Sequence, residues 1–127
     1  ESCGKLFSIR NKRPRPRLDD KIIAAWNGLM ISAFARAAQI LDDAAYLTAA
    51  VEAANFIRAN LYDESQKILF RSYRGERSEI EGFADDYAFV IQGLLDLYEA
   101  CFEPRWLKFA LELQQQMDAL FWDNAHG

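Results

Sequence analysis

The stretch KIIAAWNGLMISAFARAAQIL, residues 21–41, decides the fold that we predict for this chain. Its apolar residues recur at intervals of three and four positions, which is the periodicity of an α-helix. Polar positions are so few that other parts of the protein must cover most of the helix surface. We therefore predict an inner helix that runs from Lys21 to Leu41 and is opened by Asp19 or Asp20.

A second helix is predicted directly after the first. Asp42-Asp43 makes a short break, and the segment from Ala44 to Leu61 then carries an apolar stripe beside polar residues. This pattern is typical of an amphipathic helix at the surface of a core. Tyr62-Asp63 ends it, so residues 19–63 are predicted to form a helical hairpin.

The segments on either side of this hairpin have different characters. Residues 1–13 have the pattern of the end of a preceding helix, which Pro14 and Pro16 stop. Residues 64–84 form a longer connection, in which a short β-hairpin is predicted near residues 68–78.

The second half of the chain repeats the pattern of the first. With an offset of 65 positions Asp20, Asn27 and Gly28 align with Asp85, Gln92 and Gly93, and with an offset of 60 positions Tyr46-Leu47 and Tyr62-Asp63 align with Trp106-Leu107 and Trp122-Asp123. Residues 85–123 are therefore interpreted as a second hairpin, with a shorter segment between its helices. Repeated hairpins bury their apolar faces only by stacking on neighbours, as in a solenoid or a closed ring. We predict an all-α fold in which residues 1–127 are a partial segment of a ring whose remaining hairpins are its partners.

Composition argues against several classes of function. The chain is 51% hydrophobic with a net charge of −4, which suits a folded domain with a sizeable core. The basic run from Arg10 to Arg17 is interpreted as a solvated helix end and connector, because the acidic remainder would repel the phosphates of a nucleic acid. Cys3 and Cys101 are far apart and His126 is the single histidine, so neither a metal site nor a cofactor is predicted.

Membrane insertion is not predicted either. No apolar run approaches the roughly 20 residues needed to span a bilayer. We therefore expect no membrane partner and a cytoplasmic location.

Carboxylates are predicted to gather at one end of the ring. Each inner helix follows a long connection, so Asp20 and Asp85 or Asp86 should lie at the same end. A residue seven positions further on lies at nearly the same azimuth of a helix, so each carboxylate begins a polar line suited to a polyhydroxylated ligand. The candidate catalytic residues are Asp20 and Asp86, as acid or base, and the candidate substrate-binding residues are Lys21, Trp26, Asn27, Asp85, Tyr87 and Gln92.

Each candidate also has a structural interpretation. Asp is a favoured N-cap whose charge suits the helix dipole, so Asp19 and Asp85 can serve as caps. A doubled Asp supplies one cap and leaves one carboxylate over. Trp26 is more typical of a packed core than of a sugar-stacking surface, and His126 is interpreted as a bystander at the chain end. Packed helices lie roughly 8–10 Å apart, and the two carboxyl groups of an inverting glycosidase lie roughly 6.5–9.5 Å apart. Because the two ranges overlap, carboxylates on neighbouring helices could catalyse hydrolysis. Any two helices in contact would meet this condition, so the overlap does not favour hydrolysis.

Two long motifs carry a family resemblance. The motifs are RPRLDDKIIAAWNGLM at residues 15–30 and GFADDYAFVIQGLLDLYEA at residues 82–100, with Trp106-Leu107 and Phe121-Trp122-Asp123 beyond them. With these motifs the chain closely resembles the spermatogenesis-associated protein 20 family. The resemblance implies an internal segment of an (α/α)6 toroid of the six-hairpin glycosidase class, which in the family follows a thioredoxin-like domain.

The chain departs from the family at two places. The family usually has His at the position of Arg17, and Glu-Asp-Tyr where this chain has Asp85-Asp86-Tyr87. Any chemical role of that His or Glu is therefore in doubt in this chain.

Two functions are compatible with the sequence. The first is a carbohydrate-active domain, either a hydrolase or a sugar isomerase, with its pocket at the starts of the inner helices. Hydrolysis is favoured within this segment, because the related sugar 2-epimerases carry protons on His and only His126 is present. The alternative is a non-catalytic helical module that binds a client or glycan and accompanies a thioredoxin-like redox domain.

Overall fold

The computed structural model describes residues 2–14, 18–123 and 125 of the chain. Arg17, where the resemblance leads us to expect His in most of the family, and His126 both lie outside this range. The described residues form five α-helices, which are α1 Ser2–Asn11, α2 Ala24–Leu41, α3 Ala44–Phe56, α4 Ala84–Cys101 and α5 Pro104–Phe121. A π-helical turn, Ile57–Leu61, extends α3. The fold is all-α and is built from the hairpins α2–α3 and α4–α5, as predicted.

Short strands fasten the connection between the hairpins to the start of the first one. They are β1 Ile22–Ile23, β2 Tyr62–Asp63, β3 Ile68–Leu69, β4 Ser72–Arg74 and β5 Glu76–Arg77. Strand β4 pairs in antiparallel fashion with both β1 and β5, and β2 pairs with β3. Gly75 turns the chain between β4 and β5 with a φ of 72°, in the left-handed region that favours glycine. This turn confirms the β-hairpin predicted near residues 68–78.

The first inner helix starts later than predicted. Helix α2 begins at Ala24, and its N-cap is Ile23, which makes no side-chain capping hydrogen bond. The backbone N–H of Ala24 instead donates to the carbonyl oxygen of Arg71 at 2.9 Å. The two β-branched isoleucines of β1 favour an extended backbone, and β4 provides a strand for them to pair with. The prediction that Asp19 or Asp20 opens the helix is therefore wrong.

The repeat has a single period of 60 residues, so the longer offset predicted for the inner helices is wrong. Helices α2 and α4 each contain 18 residues and begin at positions 24 and 84. Each ends in a left-handed C-cap, Asp42 with a φ of 52° and Phe102 with a φ of 54°. The outer helices α3 and α5 begin at positions 44 and 104. The two hairpins are therefore equivalent along their whole inner helices, with no shortening between them.

The glycines that suggested the longer offset lie opposite each other where α2 contacts α4. A Cβ atom added to Gly93 would lie 2.5 Å from the carbonyl oxygen of Gly28. One added to Gly28 would lie 2.5 Å from the carbonyl carbon and oxygen of Phe89. Both glycines thus permit the close approach of two helix backbones. The position 60 residues beyond Gly28 is Ala88, so the two glycines are partners in a contact and not equivalents in the repeat.

The helices form an inner and an outer layer. Ala25 contacts Asp86 near the helix starts and Arg36 contacts Asp96 near their ends, so α2 and α4 run side by side in the same direction. Helix α3 packs on α2, and α5 packs on α4. The buried core between the layers includes Ile31, Ile57, Leu94, Leu97, Trp106 and Phe109.

Helix α2 also has an apolar face that no other described residue covers. Trp26 is 65% exposed and Ile40 is 80% exposed, with Leu29 and Met30 on the same side. We expect the isolated 127-residue polypeptide to self-associate through this face, because contiguous apolar patches of this kind drive association in water. Sedimentation velocity at micromolar concentration measures this.

The matched control for self-association replaces Leu29, Met30 and Ile40 with Gln. This variant should sediment as a smaller species than the unaltered polypeptide. A monomer with a sharp thermal transition in the unaltered polypeptide would contradict the expectation.

Candidate functional site

Asp86 joins the starts of the two inner helices to the connection between them. Its Oδ1 accepts a hydrogen bond from the backbone N–H of Ala25 in α2 at 3.1 Å. Its Oδ2 accepts one from the N–H of Phe83, the N-cap of its own helix, at 3.0 Å, and one from Arg71 Nη1 at 2.9 Å. The side chain has no exposed surface. Both carboxylate oxygens of this candidate catalytic residue are therefore engaged in holding the framework.

Asp85, the neighbour of Asp86 in the first turn of α4, faces solvent. Its side chain is 54% exposed, and its Oδ1 lies 3.8 Å from Arg71 Nη1. The guanidinium of Arg71 is stacked 4.4 Å from the centroid of the Phe83 ring. Arg71 is thereby fixed between an aromatic ring and two carboxylates, and Asp85 is the one of those carboxylates that a ligand can reach.

Asp20 is the exposed carboxylate at the start of the first hairpin. Its Oδ1 lies 2.6 Å from Nε of Arg74, and both side chains are 56% exposed. Lys21, beside it, pairs with Asp19 at 3.4 Å. Arg74 lies in β4 and Arg71 lies directly before that strand. A single stretch of the connection thus provides the cationic partners of the carboxylates at both helix starts.

The remaining candidates fall into three environments. Trp26 is exposed on the uncovered face of α2. Tyr87 is fully buried, and its hydroxyl accepts a hydrogen bond from the Leu69 N–H at 3.0 Å, while burial raises its pKa. Asn27 Nδ2 donates to the carbonyl oxygen of Ile23 at 2.9 Å. These three residues do not converge on the exposed carboxylates.

Gln92 belongs to a polar cluster where α2 contacts α4. The cluster as a whole was not predicted from the sequence. Its Nε2 donates to Asp96 Oδ2 at 3.2 Å, and Ser32 Oγ donates to the same oxygen. Arg36 grips both carboxylate oxygens, with Nε at 3.2 Å from Oδ2 and Nη2 at 3.0 Å from Oδ1. Burial alone would raise the pKa of Asp96, but the hydrogen bonds from Arg36, Ser32 and Gln92 outweigh it and lower that pKa.

A signal for this cluster was present in the sequence. Arg36 and Asp96 are 60 positions apart, so they occupy equivalent sites in the two hairpins and carry opposite charges. The longer offset placed Ile31 opposite Asp96 and concealed this pairing.

The described residues contain neither a metal-binding cluster nor a membrane-spanning helix. That part of the chain has no cluster of three or more His, Cys, Asp or Glu residues that could hold a metal ion. It also has no helix with the length and hydropathy needed to cross a membrane.

The layered hairpins have the fold of two hairpins of a six-hairpin glycosidase-like (α/α)6 toroid. The fold is similar to that of a GH76 alpha-mannanase from Bacteroides thetaiotaomicron, with a TM-score of 0.78 and 19% identity over 91% of this chain and 32% of the other. It is also similar to that of a cellobiose 2-epimerase from Spirochaeta thermophila, with a TM-score of 0.77 and 23% identity over 84% of this chain and 27% of the other.

The sequence comparison identifies a more specific relationship than the similarity of fold does. The chain is homologous, over almost its whole length, to a segment of spermatogenesis-associated protein 20. It is 47% identical to the Rattus norvegicus protein and 44% identical to the Homo sapiens protein, in each case over 97% of this chain. It spans about a sixth of the length of these relatives, 16% and 17% respectively. No family model matches the chain.

Proposed function

We propose that the protein binds and hydrolyses a carbohydrate at a rim formed by Asp20, Lys21 and Asp85. The observation that carries this proposal is a pair of exposed carboxylates, one just ahead of β1 and the first inner helix and one in the first turn of the second, in a fold similar to those of a mannanase and a sugar epimerase. Carboxylates of this kind can act as the general acid and base of glycoside hydrolysis. Because both oxygens of Asp86 are engaged, we assign it a positioning role and place Asp85 beside Asp20 as the second reactive carboxylate.

The rim also provides donors for the hydroxyl groups of a sugar. The side chain of Lys21 is 48% exposed, and its ammonium group carries three N–H donors. The ammonium group also pairs with Asp19. Arg74 keeps Asp20 in place from the side of β4. A sugar ring bound across the rim would therefore meet a carboxylate from each hairpin and the ammonium group of Lys21.

Isothermal titration calorimetry of the intact protein with cellobiose, an α-linked mannobiose and the common monosaccharides tests this proposal. We expect one of these sugars to bind, and both Asp20→Asn and Asp85→Asn to weaken its Kd at least tenfold, because each change replaces an anionic acceptor with a neutral amide.

The matched control is Glu64→Gln. Glu64 is also an exposed carboxylate paired with an arginine, Arg58, but it follows the outer helix α3 instead of preceding an inner helix. This control should leave the Kd unchanged. Failure of every sugar to bind, or binding indifferent to both aspartate changes, would reject the carbohydrate site.

A non-catalytic binding module is the second candidate function. It is favoured by the observation that Asp20 and Asp85 each already have an arginine partner, as structural ion pairs do. Incubation of the intact protein with the bound disaccharide, followed by NMR of the anomeric protons, separates the two functions. New anomeric signals that disappear in Asp20→Asn indicate hydrolysis, whereas an unchanged spectrum with retained binding indicates a module.

A further inference from the structure

The side of each inner helix that faces away from the outer layer can be located from ring contacts. Phe34 of α2 packs against Tyr46 of α3 with 5.9 Å between ring centroids. Tyr87 of α4 packs against Phe121 of α5 at the same centroid distance of 5.9 Å. Phe34 and Tyr87 therefore mark the sides of α2 and α4 that face the outer helices.

The polar cluster between α2 and α4 lies on the opposite side. Each residue of an α-helix advances the azimuth by about 100°, so Arg36 points about 200° away from Phe34, and Asp96 about 180° away from Tyr87. The same geometry places four further residues on this side. We call the set the inner face, and it consists of Leu29, Ser32, Arg36, Phe89, Gln92 and Asp96.

Residues 60 positions apart are equivalent in the two hairpins, and this equivalence shows which surface of α2 another hairpin would cover. That surface differs from the inner face. Asp86, Val90 and Gly93 lie on the side of α4 that packs against α2. Their equivalents in α2 are Trp26, Met30 and Ala33, which are all exposed. A further inner helix would pack on these residues, so Trp26 is assigned to helix packing and not to ligand stacking.

Arg36 is held rigidly but keeps donors available. Its side chain is 61% exposed, whereas that of Asp96 is only 7% exposed. The paired hydrogen bonds to Asp96 use Nε and Nη2, and among the described residues Nη1 has no hydrogen-bond acceptor. A guanidinium has five N–H donors in a fixed plane, so this arrangement presents its free edge in one orientation.

The neighbours of Arg36 define the chemistry of a ligand. Asp96 compensates the charge of Arg36, so the inner face does not select an anion. Gln92 is exposed, and because its Nε2 donates to Asp96 its carbonyl oxygen is left as an acceptor. Phe89 is 38% exposed and Leu29 46% exposed, and they supply apolar surface beside these groups. Directed donors, an acceptor and an apolar wall together suit a neutral polyhydroxylated ring.

We propose that the inner face is a contact surface for the sugar, with Arg36 as a binding residue and Asp96 as the positioning residue that orients it. This inference rests on the proposed function, and it extends the site from the rim along the inner wall of the helices. A ligand that reaches from Asp20 and Asp85 to Arg36 is longer than a single sugar ring, because the ten residues from Arg36 to Trp26 alone span about 15 Å of helix. The ligand class is therefore a neutral oligosaccharide.

The test uses calorimetric titration of the intact protein with cellobiose, an α-linked mannobiose and a linear tetrasaccharide of each series. Arg36→Met keeps the aliphatic stem and removes the donors, and should weaken the Kd of the tetrasaccharide at least tenfold. Gln92→Met removes the acceptor and leaves the paired contact of Arg36 with Asp96 in place. This variant should weaken the Kd of the tetrasaccharide about threefold. The tetrasaccharide should bind more tightly than the disaccharide only to protein with an intact inner face.

The matched control is Arg58→Met, because Arg58 contacts Glu64 through the same Nε and Nη2 atoms on the outer side of the hairpin. It should leave the Kd of every probe unchanged. If Arg36→Met does not fold, as judged by its thermal unfolding, Gln92→Met and the gain from disaccharide to tetrasaccharide decide the question. Binding that is lost in Asp20→Asn but unaffected by the inner-face variants overturns this inference and leaves the proposed function standing. Absence of binding by any probe overturns both.

Discussion

Asp86→Ala is expected to lower the free energy of unfolding by about 3–5 kcal/mol, the effect of removing one partner from a buried ion pair. The change leaves the Arg71 guanidinium without its closest carboxylate and leaves the backbone N–H groups of Ala25 and Phe83 without an acceptor. An unpaired buried donor costs about 1–3 kcal/mol, so the buried amide of Ala25 alone accounts for a substantial part of the loss. Urea denaturation of the intact protein, followed by tryptophan fluorescence and circular dichroism, measures the effect.

Asp85→Ala is the matched control for this experiment. Asp85 is also an aspartate in the first turn of α4, but it is exposed and lies 3.8 Å from Arg71. Exposed ion pairs and helix-dipole contacts each contribute less than about 1 kcal/mol, so this variant should unfold near the unaltered protein. Equal losses in the two variants would show that Asp86 does not have the framework role that its contacts indicate.

Gly28→Ala and Gly93→Ala are expected to destabilise the protein by about 2–3 kcal/mol each, although alanine is the better helix former. The added methyl group of either variant meets backbone atoms at 2.5 Å, and backbone cannot rotate away as a side chain can. Helices α2 and α4 must therefore separate, which loosens the core contacts on both sides of the glycines. The same denaturation experiment measures this loss.

Gly4→Ala provides the control for the effect of helix propensity. Gly4 lies in α1, and a Cβ atom added there meets nothing within 4 Å. This variant should be neutral or gain up to about 1 kcal/mol, the difference in helix propensity between alanine and glycine. A gain of the same size in Gly28→Ala would contradict the close contact between the inner helices.

The elements that depend on local periodicity were predictable from the sequence. The apolar spacing of residues 21–41 and the amphipathic pattern of residues 44–61 predicted the two helices of the first hairpin, and the turn at Gly75 matches the predicted β-hairpin. The all-α fold and its relation to the six-hairpin class follow from the same patterns and from the resemblance. Such signals lie within a few residues of one another along the chain, and this is why they can be read without a structure.

The features that sequence reasoning misplaced depend on contacts between distant residues. The start of α2 is set by β4, some fifty residues further along the chain, and not by the adjacent Asp19 or Asp20. The donor that reaches Asp86 from Ala25 is 61 residues away. The pattern of Asp85-Asp86 shows two acidic residues before an apolar run, and nothing local distinguishes the buried one from the exposed one. Their difference arises only from the approach of α2 and Arg71.

The candidate site was predictable in part for the same reason. Asp85 is exposed in the first turn of α4, whereas Asp20 is exposed ahead of β1, four residues before α2 begins. Arg36 was overlooked because a single arginine in an apolar helix has no local signature of binding. Its significance lies in its pairing with Asp96, which only the 60-residue equivalence relates to it.

The long-range hydrogen bond from Ala25 to Asp86 has a consequence for synthesis on the ribosome. Chains grow at about 5–20 residues per second, so the 61 residues between donor and acceptor take about 3–12 s to translate. From the synthesis of Leu41 until that of Asp86, the nascent chain contains the whole of α2 but not the carboxylate that caps its first turn. The apolar surface of this helix is then exposed to nascent-chain chaperones, and mutations that slow translation of residues 26–86 would prolong the exposure.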